Sequence, residues 1–116
     1  MNLTITTRKQ EPGIDIVKLD GRLTLGRDNS QLETTVVDLL AQGSKKIIID
    51  LTGVTYVDSS GVGSLAFSSS KAGKSGSRLV AAGAKGMVLE VFHLTRVDLL
   101  VPFFPDVAVA AASFTT

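Results

Sequence analysis

The chain has 116 residues and a net charge of +1, from 12 basic and 11 acidic side chains, and this length suits one domain, residues 1–116, with a sizeable core. The balanced charge argues against direct binding of nucleic acid, and the absence of cysteine excludes disulfides and thiolate metal sites. No apolar run approaches the ~20 residues of a membrane span and no signal peptide is recognisable, so we expect a cytoplasmic protein without a membrane partner.

The first half of the chain predicts a hairpin, a helix and a buried strand. Alternating apolar residues flank the turn signal "EPG", residues 11–13, which indicates a β-hairpin. A helix follows, because apolar residues recur at the spacing of one helical face: Leu32, Val36, Leu39 and Leu40. Asp28 or Asn29 can cap its start, and Gly43 ends it. "KKIIIDL", residues 45–51, is typical of a strand that is buried on both faces.

The second half of the chain continues the alternation of helices and strands. We expect a helix over roughly residues 60–74 and a buried strand at "RLVAAG", residues 78–83. A third helix should place four apolar residues on one face: Met87, Val88, Val91 and Phe92. "LLVPFF", residues 99–104, predicts a last strand, which Pro102 places at a sheet edge. Asp106 should cap a final helix with an inward apolar face of Val107, Ala110, Ala111 and Phe114.

These elements together predict a mixed α/β sheet. The hairpin supplies antiparallel strands, whereas strands that are separated by helices become parallel neighbours. In open α/β sheets, binding sites lie just beyond the carboxyl ends of the strands. Residues 52–63 follow such an end, so the functional site is expected there.

The junction "LTGVTYVDSSGVGSLAF", residues 51–67, groups a carboxylate, two hydroxyls and two glycines between a strand and a helix. A purely structural interpretation is available, because serine and aspartate cap helices and glycine permits tight turns. "GVGSLA", residues 61–66, fits a dinucleotide-binding pattern, but about ten residues separate it from the strand and no acidic residue follows about twenty positions later. "GKS", residues 73–75, resembles the end of a Walker A motif, yet it closes a helix and Ser68 replaces the first glycine.

Enzymatic chemistry finds little support in these residues. A serine hydrolase needs a base, His93 is the only imidazole, and no G-x-S-x-G elbow surrounds Ser59 or Ser60. His93 alone cannot form a zinc site either, so we expect no catalytic residue, metal or cofactor. A serine used as a switch is the remaining interpretation. A hydroxyl at a helix start is accessible to a kinase, the first-turn N–H groups can hold a phosphate, and Gly61 and Gly63 would leave a smooth surface for a partner.

One motif resembles a known family. Within "IIIDLTGVTYVDSSGVGSLAF", residues 47–67, an apolar strand ends in Asp50-Leu51, and an aromatic–apolar pair precedes Asp-Ser-Ser-Gly-apolar-Gly. This pattern resembles the STAS domain of bacterial anti-sigma-factor antagonists. "VKLDGRL", residues 17–23, and the closing segment, residues 88–113, are also similar to the family, so the resemblance covers nearly the whole chain. It implies a mixed sheet of about five strands with about four helices packed mainly on one side.

The resemblance also implies a function and a site. In the family, the serine directly after the aspartate is phosphorylated, and this position maps to Ser59. The unphosphorylated antagonist binds an anti-sigma factor that is also a serine kinase, and this binding releases a sigma factor for transcription in a stress response. The kinase uses ATP to phosphorylate the antagonist, which then dissociates, and a serine phosphatase resets it. The expected partner-binding residues lie around Ser59: Asp58, Ser60, Gly61, Val62, Thr24 and Arg27.

The sequence departs from the family pattern in one loop. After "GRL" the family usually carries an acidic residue, whereas this chain has Thr24, with Arg27 soon after, which leaves the partner's identity and the oligomeric state open. STAS domains also serve as regulatory or scaffold modules in stress-signalling assemblies, beside sulfate-type transporters, or with lipid-transport ATPases. A transport accessory often lacks the Asp-Ser pair. This chain keeps it as Asp58-Ser59, which favours the antagonist.

Overall fold

A computed structural model describes residues 3–24 and 27–115 of the chain, without the side chains of residues 27–30. The described part forms one five-stranded sheet with four α-helices and a short 3-10 turn at Val97–Leu99. This arrangement confirms the predicted mixed α/β fold. The strands and helices are β1 (Thr4–Gln10), β2 (Ile14–Leu23), α1 (Arg27–Ala41), β3 (Lys46–Val57), α2 (Ser59–Lys74), β4 (Arg78–Ala82), α3 (Gly86–Leu94), β5 (Phe103–Phe104) and α4 (Val107–Ser113).

The five strands follow one another across the sheet in chain order. β1 and β2 form the predicted antiparallel hairpin, and β2, β3, β4 and β5 run parallel to their neighbours. β3 is longer than the sequence suggested, because the residues after Asp50 continue to pair with β2 beyond an irregularity between Lys18 and Asp20. The pairing ends at Leu23 and Val57. The carboxyl ends of β2 and β3 therefore lie side by side, directly before α2.

The core has two layers of unequal size, one on each face of the sheet. Helices α1, α2 and α3 pack on one face over the main core, whereas α4 covers a smaller cluster on the other face. β3 contributes to both layers, since Ile47 and Ile49 face the main core and Ile48 faces the smaller one. This arrangement confirms that the strand is buried on both faces and that the helices pack mainly on one side.

The C-terminal segment differs from its prediction in one respect. The last strand contains only Phe103 and Phe104, because the residues before it form the 3-10 turn, in which the Leu100 and Val101 amides both donate to the Val97 carbonyl. The strand does lie at a sheet edge, beside β4, as Pro102 indicated. Asp106 caps α4 as predicted, with its carboxylate accepting a hydrogen bond from the Val109 amide at 2.8 Å.

The two remaining helices have ends and faces that can be compared with the sequence. Gly43 follows α1 with a φ of +94°, which is the left-handed conformation expected at a helix C-terminus. The capping prediction for Asp28 and Asn29 concerns side chains outside the described residues. In α3, Val88 and Phe92 are buried whereas Met87 is 75% exposed, so the fold covers only part of the predicted apolar face. No helix in the described part of the chain is long and apolar enough to cross a membrane.

A buried carboxylate joins the hairpin to the loop after α1. Asp15 on β2 is 5% exposed and accepts hydrogen bonds from the Lys9 ammonium at 2.7 Å and the Ser44 hydroxyl at 2.6 Å. Burial opposes ionisation of Asp15, but these two hydrogen bonds and the Lys9 charge outweigh it and hold the pKa of the carboxyl below its ordinary value. Asp15 therefore contributes to stability in its charged form.

Candidate functional site

The β3–α2 junction is organised by the carboxylate of Asp58. Asp58 is the N-cap of α2, with extended backbone angles of φ −111° and ψ −177°. Its Oδ1 accepts a hydrogen bond from the Gly61 amide at 2.9 Å and another from the Ser60 hydroxyl at 2.7 Å. Ser60 therefore does not cap the helix itself. It donates to the residue that does, and so helps to hold the Asp58 carboxylate in place.

Ser59 is the first residue of α2 and is exposed. Its hydroxyl makes no hydrogen bond to any of the described residues, whereas the neighbouring Ser60 is half-buried and bonded to Asp58. One backbone donor at the helix start is already used, because the Gly61 amide donates its hydrogen bond to the Asp58 carboxylate. A group attached to the Ser59 oxygen would therefore project from the surface instead of replacing this cap.

Gly61 and Gly63 have different roles, although they are two residues apart. Gly61 is buried, and a Cβ built on it would lie 2.4 Å from the Leu23 carbonyl oxygen and 2.9 Å from a side-chain carbon of Val57. Gly61 therefore allows α2 to approach the ends of β2 and β3, and its additional role as a partner contact stays a prediction. Gly63 is exposed, and no described atom lies within 4 Å of its ideal Cβ position. Gly63 supplies the smooth outer surface that was expected of both.

The other predicted partner residues are divided between the core and the surface. Val62 is 8% exposed and packs in the main core, and its contact with a partner stays a prediction. Thr24 is half-buried and directly follows Leu23, whose carbonyl accepts a hydrogen bond from the Asp58 amide at 3.3 Å. The end of β2 thus brings Thr24 beside the junction. The side chain of Arg27, the first residue of α1, lies outside the described residues.

The geometry also bears on the alternative chemistries. Since β3 runs to Val57, only a short segment separates it from Gly61, and the spacing argument against a dinucleotide site is wrong. The Asp58 carboxylate at the helix start instead places negative charge where a dinucleotide's pyrophosphate would bind. His93 Nδ1 lies 2.6 Å from Asp98 Oδ2 near the end of α3. Among the described residues, no group of three histidine, aspartate or glutamate side chains is placed to hold a metal ion.

Two surface residues beside the junction were given no contact of their own in the sequence analysis. The Arg22 guanidinium carbon lies 4.4 Å from the centroid of the Tyr56 ring, a distance typical of a cation–π contact. The Tyr56 ring is partly exposed and lines a small cleft of about 30 Å³ with Met87, Val88 and Val91. The sequence does contain a signal for the α3 side of this cleft. The helix sequence "GMVLEVFHL" is too apolar for a helix with only one buried face.

Comparison with models of protein families identifies the family of the chain. The family model for the STAS domain matches residues 6–110. The chain belongs to the STAS domain family. The match includes most of β1, the other four strands, the Asp58-Ser59 junction and the first half of α4. No curated protein sequence matches the chain significantly, so further comparison of this STAS domain depends on solved structures.

Solved structures of anti-sigma factor antagonists and of a sulfate transporter family protein are similar to this one. An anti-sigma factor antagonist from Mycobacterium paratuberculosis has a TM-score of 0.85 and 23% identity, covering 99% of this chain and 96% of that one. The Bacillus cell-fate determinant SpoIIAA, in its phosphorylated form, has a TM-score of 0.73 and 16% identity, with coverages of 96% and 99%. A sulfate transporter family protein from Wolinella succinogenes has a TM-score of 0.78 and 17% identity, with coverages of 94% and 93%. At these identities the similarities establish the fold alone.

Proposed function

We propose that this STAS domain is a bacterial, cytoplasmic anti-sigma-factor antagonist that is switched by phosphorylation of Ser59. Its unphosphorylated form binds an anti-sigma factor that is also a serine kinase, and this binding releases the sigma factor for transcription. The kinase then consumes ATP, phosphorylates Ser59 and dissociates, and a serine phosphatase restores the binding form. The domain itself is not an enzyme and holds no cofactor. The observation that carries the proposal is the exposed Ser59 hydroxyl beside an intact Asp58 cap.

The hydrogen bonds favour Ser59 over Ser60 as the phosphoacceptor. The Ser60 hydroxyl donates to Asp58 at 2.7 Å, so its oxygen lies beside a carboxylate. Ser60 is also half-buried, and a phosphate on its oxygen would place two anionic groups in contact. The exposed Ser59 hydroxyl has neither restriction. A kinase can therefore reach Ser59 without disturbing the start of α2.

A phosphate on Ser59 can change binding without changing the fold. It adds about −1.5 to −2 charges near neutral pH, next to the negative charge of Asp58. The Asp58 carboxylate still accepts the hydrogen bond from the Gly61 amide. The phosphate does not replace this cap, and it therefore projects towards the partner. Facing a partner carboxylate at about 6 Å with an effective dielectric constant near 20, two charges repel by roughly 5 kcal/mol. A shift from about 99% bound to about 99% free needs roughly 5.5 kcal/mol, so local repulsion is of the required size.

The test is direct phosphorylation followed by mapping of the modified residue. Each anti-sigma-factor serine kinase of the source organism is purified and incubated with the chain and ATP, and the digested product is analysed by fragmentation mass spectrometry. We expect one kinase to modify Ser59, and the Ser59→Ala variant to remain unmodified. Ser60→Ala serves as the matched control and should still accept phosphate on Ser59. Phosphate on Ser60 alone would show that the assignment is wrong.

A regulatory or scaffold module without a phospho-switch is the second candidate function. The observation that favours it is the similarity in fold to the sulfate transporter family protein, which is close to that of the antagonists. Such a module has no need of a free hydroxyl at the start of α2. Binding to a transport or scaffold protein that is unaffected by Ser59→Asp would support this second function over the first.

A further inference from the structure

Helix α3 is more apolar than its position in the fold requires. Of its nine residues, Gly86–Leu94, only Glu90 and His93 have polar side chains. One face is used by the fold, because Val88 and Phe92 are buried in the main core. A helix that is apolar on all sides is normally buried on all sides. The outward side of α3 is instead open to solvent, so a single buried face does not account for its composition.

The exposed apolar residues of α3 form one continuous row. Met87, Val91 and Leu94, which we call the α3 stripe, are spaced by four and three residues and therefore share one helical face. Met87 is 75% exposed and Leu94 is 77% exposed, with the half-buried Val91 between them. Single exposed apolar side chains are ordinary on protein surfaces, but contiguous patches mark sites of interaction. The α3 stripe is such a patch.

The α3 stripe begins at the Ser59 junction. Met87 and Val91 line the small cleft with Tyr56 and Val57, and Val57 is the residue before the Asp58 cap. The partly exposed Tyr56 ring also contacts the Arg22 guanidinium. The apolar row is therefore continuous, through Tyr56 and Val57, with the residues that present Ser59.

We propose that the α3 stripe and Tyr56 bind an aliphatic surface of the same anti-sigma factor that engages Ser59. This inference rests on the proposed function and adds a second part to its interface. The stripe has no charged side chain, so its complement is apolar, and the flexible thioether of Met87 can adapt to the partner's side chains. The two parts have different roles. Burial of the stripe supplies affinity that phosphorylation leaves unchanged, whereas Ser59 supplies the repulsion that separates the proteins.

The test compares polar substitutions on the stripe with a matched substitution elsewhere. The probe is the kinase that phosphorylates Ser59 in the experiment above, used without ATP, and its affinity is measured by titration calorimetry. Met87→Gln with Leu94→Gln keeps good helix formers on α3 and should weaken binding by about tenfold or more. Val109→Gln is the control, because Val109 is 44% exposed on α4, across the sheet. It should bind within about twofold of wild type.

Two further measurements keep the result independent of folding. The Met87→Leu variant preserves the apolar surface and should bind like wild type, whereas a general disturbance of α3 would affect it as well. Hydrogen exchange of the complex should show protection of residues 86–94 together with residues 56–66, and none of residues 107–113. If circular dichroism shows that the double variant is unfolded, hydrogen exchange of the wild-type complex decides whether α3 is part of the interface.

The possible outcomes separate this inference from the proposed function. If binding depends on Ser59 but the glutamine variants bind like wild type and α3 gains no protection, the stripe is not part of the interface and the switch stands. If no kinase binds in a Ser59-dependent manner, the proposed function fails and the inference fails with it. If the chain alone sediments as a dimer that the double variant dissociates, a second copy covers the stripe and the inference is wrong.

Discussion

The substitution of Gly61 by alanine tests the arrangement of the junction most severely, because a single methyl group enters a filled space. Its Cβ would lie 2.4 Å from the Leu23 carbonyl oxygen and 2.9 Å from side-chain carbons of Leu23 and Val57, whereas ordinary contacts begin at 3.4 Å. The carbonyl is main chain, and it also accepts the Asp58 amide at 3.3 Å. The start of α2 would therefore have to move away from β2 by about 1 Å, a shift typical of overpacked sites.

The expected magnitude follows from two opposing terms. Overpacking of this kind costs about 1–3 kcal/mol. Replacing glycine by alanine within a helix gains up to about 1 kcal/mol, which offsets part of that cost. We therefore expect Gly61→Ala to lower the free energy of unfolding by roughly 1–2 kcal/mol, or the melting temperature by about 4 °C or more. Gly61→Leu adds three further carbons at the same position and should be still less stable.

Gly63→Ala is the matched control, since it makes the same chemical change in the same turn of α2. No described atom lies within 4 Å of the added methyl group, so only the helix-propensity term remains. This variant should be up to about 1 kcal/mol more stable than wild type. Equilibrium urea denaturation of both variants measures the difference. Equal stability of the two variants, or a more stable Gly61→Ala, would show that α2 does not approach β2 as described.

Three further predictions concern the cap, the buried carboxylate and the switch. Ser60→Ala removes the hydrogen bond to Asp58 and should cost about 0.5–1.5 kcal/mol of stability in urea, and no loss would mean that the Asp58 cap does not need it. Asp15 has a lowered pKa in the folded state, so its contribution is present above about pH 4 and is lost as the pH falls through the folded value. Asp15→Asn should therefore be less stable at pH 7 and less sensitive to acid between pH 5 and 2 by urea titration, whereas an unchanged acid response would contradict this. Phosphorylation of Ser59 should shift amide NMR signals mainly within residues 56–66, and shifts spread through the whole sheet would contradict a local switch.

The sequence predicted the order of the elements well, because that order depends on local periodicity. The alternation around "EPG" and the spacing of apolar residues in α1 and α4 needed no information about distant contacts. The length of β3 was underestimated for the opposite reason. Residues 51–57 contain polar and glycine residues and read as a connector, but they remain in the sheet because β2 pairs with them. The length of a strand that depends on pairing with a neighbouring strand cannot be predicted from the residues of that strand alone.

The strand-to-helix junction lies where the sequence predicted it, but the contacts of its residues were only partly predictable. The position of Ser59 at the start of α2 followed from the strand-to-helix junction. The distinction between Gly61 and Gly63 did not, because it depends on where the Leu23 carbonyl lies relative to the helix. Helical spacing placed Met87 on one apolar face with Val88 and Phe92, but it does not show whether the fold covers the whole of that face. Such assignments require the tertiary contacts.

The most direct test of the central claim is the affinity of the kinase for the chain with and without phosphate on Ser59. The phosphorylated protein is prepared with the kinase and ATP, purified, and titrated against fresh kinase by calorimetry beside the unmodified protein. The proposed switch predicts that phosphorylation weakens binding by roughly several thousandfold, from roughly 5 kcal/mol of repulsion, while circular dichroism stays unchanged. Equal affinities of the two forms would contradict the claim that phosphorylation of Ser59 controls partner binding.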